Sequence, residues 1–212
     1  HKLTNEMIQS EINQEAAHLS PKYIRNIYGL LTASLQMFAP EFRIHFSYPD
    51  YRKKEISIPS TSDIRRLLSL SAPFDQMLAI KLAAFLGLRR GEICGIHVND
   101  VSLSRERLFI RRSVVLSHDK KWIEKEPKTK AGRREMIIPP FLKDDFEQAI
   151  YRKQPNDKLV DLVPSQISDN FETMVRQAGI QKCTFHALRH YFASIMLANN
   201  VPNKYAMEMM GH

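Results

Sequence analysis

The chain has 212 residues, 43% hydrophobic and 25% charged, enough material for one large domain or two small ones with a proper core. Thirty-one Lys and Arg against 23 Asp and Glu leave a formal charge of +8, which suits a polyanionic partner. No apolar run is long enough to span a bilayer, there is no secretory h-region, and Cys94 and Cys183 form no C-x-x-C pair. Membrane insertion, a disulfide scaffold and a cysteine zinc site are thereby disfavoured, and a reducing cytoplasm fits.

The first 47 residues read as helical. A weak helix covers about 5 to 18. Ser20-Pro21 then caps and starts a second, with apolar positions at Ile24, Ile27, Tyr28, Leu31, Leu35 and Phe38 on one face. Two such helices bury little, so residues 1–47 are expected to be part of a larger helical domain. Residues 48–59, with two prolines and a basic cluster, read as a linker. The domain expected over 60–212 opens with Ser60-Thr61-Ser62-Asp63 capping a helix through Ile64, Leu67 and Leu68. Pro73 begins another that is apolar almost all round and ends at Gly87, which marks it as buried and central.

Between 97 and 139 the pattern turns to strands: Leu108–Arg111, Val114-Val115, and Met136–Ile138, with a turn at Ala131-Gly132. Helices return at about 140–152, 165–178, 184–199 and 202–210. The fold class is therefore mainly α with a small antiparallel sheet (α+β). Charge is concentrated at 120–134, which holds seven basic and two acidic side chains.

Three segments carry candidate chemistry. Gly87-Leu88-Arg89-Arg90-Gly91-Glu92 places two arginines where the buried helix ends, either aimed at an anion or matched to the helix dipole. In His186-Ala187-Leu188-Arg189-His190, His186 and Arg189 share a helix face and can together hold a phosphoryl group; a structural histidine beside a surface arginine is the alternative. His186 and His190 at i, i+4 would suit a metal, but Ala187 stands where a zinc-protease helix carries Glu, so no metal is expected. Finally, Pro127 to Arg134 forms a basic hairpin whose lysine can serve as a movable proton donor, or a solvated charge run.

In order, G-L-R-R-G-E, K-T-K-x-G-R-R leading to I-P, H-x-L-R-H and G-H resemble the motif series of the tyrosine recombinases, over essentially all of 59 to 212. Leu19 to Ile27 (LSPKYIRNI) is similar to the second half of that family's core-binding helical domain. The resemblance implies site-specific DNA recombination, integrating or excising a mobile element, by metal-independent cleavage and rejoining through a 3′-phosphotyrosyl link with no cofactor. Arg89, His186, Arg189 and His212 would be catalytic, with Lys128 as hairpin acid and Lys130 as its competitor. Glu92 would orient Arg89, and His190 would support the site. Lys22, Tyr23, Arg25, Asn26, Arg90, Lys130, Arg133 and Arg134 would contact DNA, although Tyr23 could equally pack inside.

The family's nucleophilic tyrosine follows the Gly-His pair, so Tyr205 stands in the wrong place and the chain reads as a fragment, trimmed at both ends, that binds DNA without cleaving it. The hairpin is more similar to those of conjugative-transposon and temperate-phage integrases than to those of chromosome-dimer resolvases. Implied partners are double-stranded DNA, further copies in a tetramer on DNA, and accessory directionality or DNA-bending proteins. A bacterial or phage-encoded cytoplasmic protein is expected. A type IB topoisomerase and a non-catalytic architectural DNA-binding protein are the competing possibilities.

Overall fold

The computed structural model describes residues 3–50, 56–127 and 132–211, and the chain divides into two compact units, 1–55 and 56–212. The first unit holds α1 (Asn5–Glu15) and α2 (Pro21–Phe38). Thr4 caps α1 by accepting from the Met7 amide, and Ser20 caps α2 by accepting from the Tyr23 amide, with Pro21 in the first turn. Their shared core is Ile8, Ile12, Ile24 and Tyr28.

The helical pattern expected to 47 stops at Ala39, because Pro40 disfavours helical backbone at the residue before it. The chain then runs back extended, and two amides one turn apart on α1 receive it. Asn5 donates to the Arg43 carbonyl and accepts from the His45 amide; Gln9 does the same with Ser47. Phe46 and Tyr48 stack edge-on in this return, with the Arg25 guanidinium over Tyr48. The apolar stripe of α2 is consequently covered only in part: Ile24 and Tyr28 are buried, whereas Ile27 is exposed and Phe38 is 79% exposed.

The second unit contains α3 (Thr61–Leu68), α4 (Phe74–Leu86), α5 (Arg90–Ile93), β1 (Val101–Ser102), β2 (Arg107–Ile110), β3 (Ser113–Leu116), β4 (Trp122–Lys125), β5 (Arg134–Ile137), α6 (Lys143–Ile150), α7 (Pro164–Gln177), α8 (His186–Ala198) and α9 (Asn203–Met210). Ser60 and Asp63 close a reciprocal capping box on α3. The middle of the unit is α4, buried on several faces and packed against α8 and α7, with Leu78, Ile80, Leu82 and Leu86 in one continuous core with Leu188, Ile167 and Phe171. This is a mainly helical fold with small antiparallel sheets.

The strands correct one expectation. The basic run was expected to be a hairpin, but β4 and β5 do not pair. β5 pairs with β2 in a three-stranded sheet of order β1-β2-β5, while β4 pairs with β3 in a separate two-stranded sheet. The strands on either side of the basic segment therefore belong to different sheets. Burial explains the choice: Met136 faces Leu108 across the β2–β5 ladder and both are interior, whereas β4 has no fully buried residue. The expected turn at Ala131-Gly132 and the lysines Lys128 and Lys130 fall at 128–131, outside the described residues.

Gly87 is where the backbone requires glycine. It ends α4 at φ +64, and a Cβ there would run into the Phe192 ring of α8. Gly87→Ala is expected to destabilise the second unit by about 2 kcal/mol or more, combining left-handed strain with the displaced ring. Urea denaturation of the variant checks this, and an unchanged midpoint would show that the Gly87 position tolerates a side chain.

Candidate active site

The left-handed turn at Gly87 reverses the chain and buries Leu88, so that Arg89 emerges in extended conformation at the head of α5. One turn on, Glu92 folds back: its Oε2 accepts from the Arg89 amide at 3.0 Å and its Oε1 from Arg89 Nη1 at 2.7 Å. A second guanidinium reaches the same carboxylate from β5. Arg134 Nη1 and Nη2 donate to Glu92 Oε1 and Oε2 at 3.1 and 2.9 Å. The side chains of Glu92 and Arg134 are 7% and 6% exposed, whereas Arg89 keeps 37%. Burial by itself would raise the Glu92 pKa. The hydrogen bonds and charge of Arg134, together with Arg89, overcome that and hold it below the ordinary carboxylate value.

Helix α8 brings the third arginine. Arg189 is 2% exposed, an arginine inside the core, and its Nη1 donates to the carbonyl of Gly87, two residues from Arg89. Burial, with Arg89 adding to it, pushes its pKa down to about 10, which leaves it a cation at neutral pH. The three arginines meet again at the end of α9. Arg134 Nε donates to the Met209 carbonyl at 2.8 Å, Arg189 Nη2 to Met210 at 2.6 Å, and Arg89 Nη2 to Gly211 at 3.2 Å. The carbonyls of a last helical turn lack partners within the helix and carry the negative end of its dipole, so cations belong there.

His186 starts α8 and keeps contact with solvent, its ring edge-on to His190 at 4.8 Å. The partial burial of its ring comes first among the causes that lower its pKa, followed by His190, Arg189, Arg89 and Arg90. The neutral ring is thus favoured in the folded state, and protonation costs stability as pH falls below the ordinary 6.5. An NMR titration of the His186 ring is expected to give a midpoint below 6.5; a midpoint at or above that value would mean that neither its burial nor its cationic neighbours govern it.

The remaining expected residues spread outward. Arg90 is exposed and donates to Ser168 of α7 at 2.7 Å, bordering a cleft of about 820 Å³ that Arg89, Trp122, Lys182 and His186 also line. Arg133 is exposed and pairs with Glu126 at 2.5 Å. In the first unit Lys22, Tyr23, Arg25 and Asn26 are all exposed along the first turns of α2, so Tyr23 is not a core residue. Arg134 departs from its expected place at a DNA surface: its guanidinium is spent inside, on Glu92 and Met209. The signal was available, since in a strand Arg134 shares a face with Met136, and that face is the buried one. What spacing could not show was the row of α9 carbonyls. Lys128, Lys130 and His212 lie outside the described residues. Among the described residues no cluster of three or more His, Cys, Asp or Glu could hold a metal, and no helix is long and apolar enough to cross a membrane. Cys94 and Cys183 are free thiols, the first with its pKa pushed up to about 12 by burial.

Among curated proteins, the chain is 27% identical over 168 residues to a XerC-like tyrosine recombinase of Caldanaerobacter subterraneus, covering 65% of this chain and 42% of that protein. It is 26% identical over 165 residues to the putative phiRv2 prophage integrase of Mycobacterium tuberculosis, covering 73% and 44%. The chain thus spans less than half the length of either. Among solved structures, the Tn1549 transposon integrase in complex with transposon right end DNA superposes with a TM-score of 0.85 at 17% identity, covering all of this chain and 78% of that one. The lambda integrase bound to DNA gives 0.71 at 16% identity, covering 99% and 77%. These likenesses show the same fold. Residues 60–212, which include α4, α5, β5, α8 and α9 and the whole arginine cluster, match the Phage integrase family, and the chain belongs to that family.

Proposed function

We propose that the protein cleaves and rejoins DNA at specific sites, as the strand-transferring part of a mobile-element recombinase, through a covalent 3′-phosphotyrosyl intermediate and without metal. The observation that carries this is the gathering of Arg89 and Arg189 at one turn, Gly87 to Arg89, with His186 on the same helix as Arg189. Such a group fits a phosphate whose non-bridging oxygens gain charge in the transition state, because preorganised cations act most strongly where water is excluded.

Arg89 and Arg189 would supply planar, permanently charged donors to those oxygens. His186 and His212 would add hydrogen bonds, and Lys128 or Lys130 would protonate the departing 5′-oxygen. Glu92 and His190 would hold Arg89 and His186 in place. The nucleophile would be a tyrosine beyond the Gly211-His212 pair; Tyr205, exposed on α9 ahead of that pair, is not assigned the role. DNA contacts would come from Lys22, Tyr23, Arg25 and Asn26 in the first unit and from Arg90, Arg133 and Lys130 in the second. Most would meet phosphates, so affinity should fall steeply with salt. Assembly as a tetramer on DNA, assistance by DNA-bending or directionality proteins, and action in a bacterial cytoplasm belong to the same proposal.

The test is the full-length natural protein on a nicked suicide duplex carrying the element's junction sequence, with EDTA present. A covalent 3′ complex that goes on to strand exchange supports the proposal. A covalent complex that only relaxes supercoils would point instead to a type IB topoisomerase, and no covalent complex to an architectural DNA-binding protein.

A further inference from the structure

We infer that Arg134 is a positioning residue that keeps Arg89 positively charged toward the phosphate by taking up the charge of Glu92. This rests on the cleavage proposal above. The Arg89–Glu92 pair by itself poses a difficulty. A carboxylate that fixes an arginine also cancels its charge, so a site built from that pair alone would be close to neutral and would attract an anion poorly.

Arg134 removes the difficulty. It grips both oxygens of Glu92 in bidentate fashion, while the Arg89 side chain reaches only Oε1. The trio of two guanidiniums and one carboxylate keeps a net positive charge, and that charge is presented by Arg89, the member open to solvent. Arg134 spends Nε, Nη1 and Nη2 all within the fold, on Met209 and Glu92, whereas Arg89 keeps 37% exposure. The third donor of Arg134, Nε on the Met209 carbonyl, ties this trio to the end of α9, beside the carbonyls that Arg189 and Arg89 hold. Glu92 thus orients Arg89 without neutralising it.

The experiment uses the full-length natural protein and four variants: Arg134→Met, Arg134→Lys, Glu92→Gln, and the double variant Glu92→Gln with Arg134→Met. Single-turnover formation of the covalent complex is read beside the equilibrium Kd for the same duplex. For Arg134→Met the rate is expected to fall by about tenfold to a hundredfold while the Kd stays within roughly twofold, because the lost term acts on the reacting phosphate rather than on the many others. In the double variant, removing the carboxylate charge restores the charge of the original trio, so its rate is expected to recover several-fold over Arg134→Met; a packing role would instead give a further loss. Arg134→Lys keeps the charge and is expected to lie between wild type and Arg134→Met.

A wild-type rate in Arg134→Met, a loss confined to Kd, or a double variant no faster than Arg134→Met would each overturn the inference. Titration with inorganic phosphate, followed at the His186 ring by NMR, tests it without cleavage: binding should weaken in Arg134→Met and return in Arg134→Lys and in the double variant. Lysine and methionine variants binding phosphate equally would overturn it too. Wild-type protein that forms no covalent complex counts against the cleavage proposal alone, since the phosphate titration still decides the role of Arg134.

Discussion

Replacing Arg89 by lysine is expected to slow strand cleavage by about a hundredfold to a thousandfold, the usual cost of one lost donor at a charge-developing oxygen. The structure gives the reason. Arg89 Nη1 is held by Glu92 and Nη2 by the Gly211 carbonyl, so the planar group is fixed at two points and its solvent-facing edge is aimed before any phosphate arrives. Lysine is a point charge on a flexible stem and cannot satisfy Glu92, Gly211 and a phosphate oxygen in one plane. DNA affinity should change by no more than a few-fold, because most of it comes from contacts to other phosphates. Single-turnover cleavage of the suicide duplex, beside a binding isotherm at fixed salt, measures both. A lysine variant that cleaves at the wild-type rate would remove Arg89 from the chemistry.

The largest stability effect is expected at Glu92. Glu92→Ala leaves Arg134, almost wholly buried, facing Arg89 with no anion between them, and breaking a buried pair in this way costs about 3–5 kcal/mol. Glu92→Gln should cost less, since its amide can still accept from one guanidinium. The pH dependence has a definite sign. The folded Glu92 carboxyl titrates below its ordinary value, so its contribution is fully present above that value and is lost as pH falls through the folded one. Urea midpoints between pH 3 and 7, on the order of the ordinary carboxylate range and above it, should therefore decline with acid in the wild type and decline less in Glu92→Gln. Two curves of equal slope would show that the carboxylate is not held by the arginines.

Much of the fold was legible because it depends on local patterns. The Ser20-Pro21 and Ser60–Asp63 caps sit where the helices begin, the all-round apolar stretch after Pro73 became the central α4, and Gly87 ended it. Alternation at Leu108–Arg111, the β-branched Val114-Val115 and the apolar run Met136–Ile138 before Pro139 found the pieces of β2, β3 and β5, and such local patterning has limits. It missed β4, where only Ile123 is even partly covered, so alternation had little to work on. It also could not say which strand pairs with which. Proximity in sequence suggested a hairpin at the basic run, whereas the buried ladder of Leu108 with Met136 drew β5 away to β2.

The site divides along the same line. Residue types and their order along the chain established which side chains stand at helical spacing, and the resemblance to the tyrosine recombinases singled out Arg89, Glu92, His186 and Arg189 as candidates for handling a phosphate, since residue type, motif order and spacing within single helices are all local. Only the tertiary structure decided what each guanidinium touches. Arg134 lies 42 residues from Glu92, and Arg89 lies 122 from Gly211, separations over which no periodicity speaks. Whether an arginine faces solvent or a buried carboxylate depends on desolvation and on the partners that the packed core brings to it, and these exist only once the chain has folded.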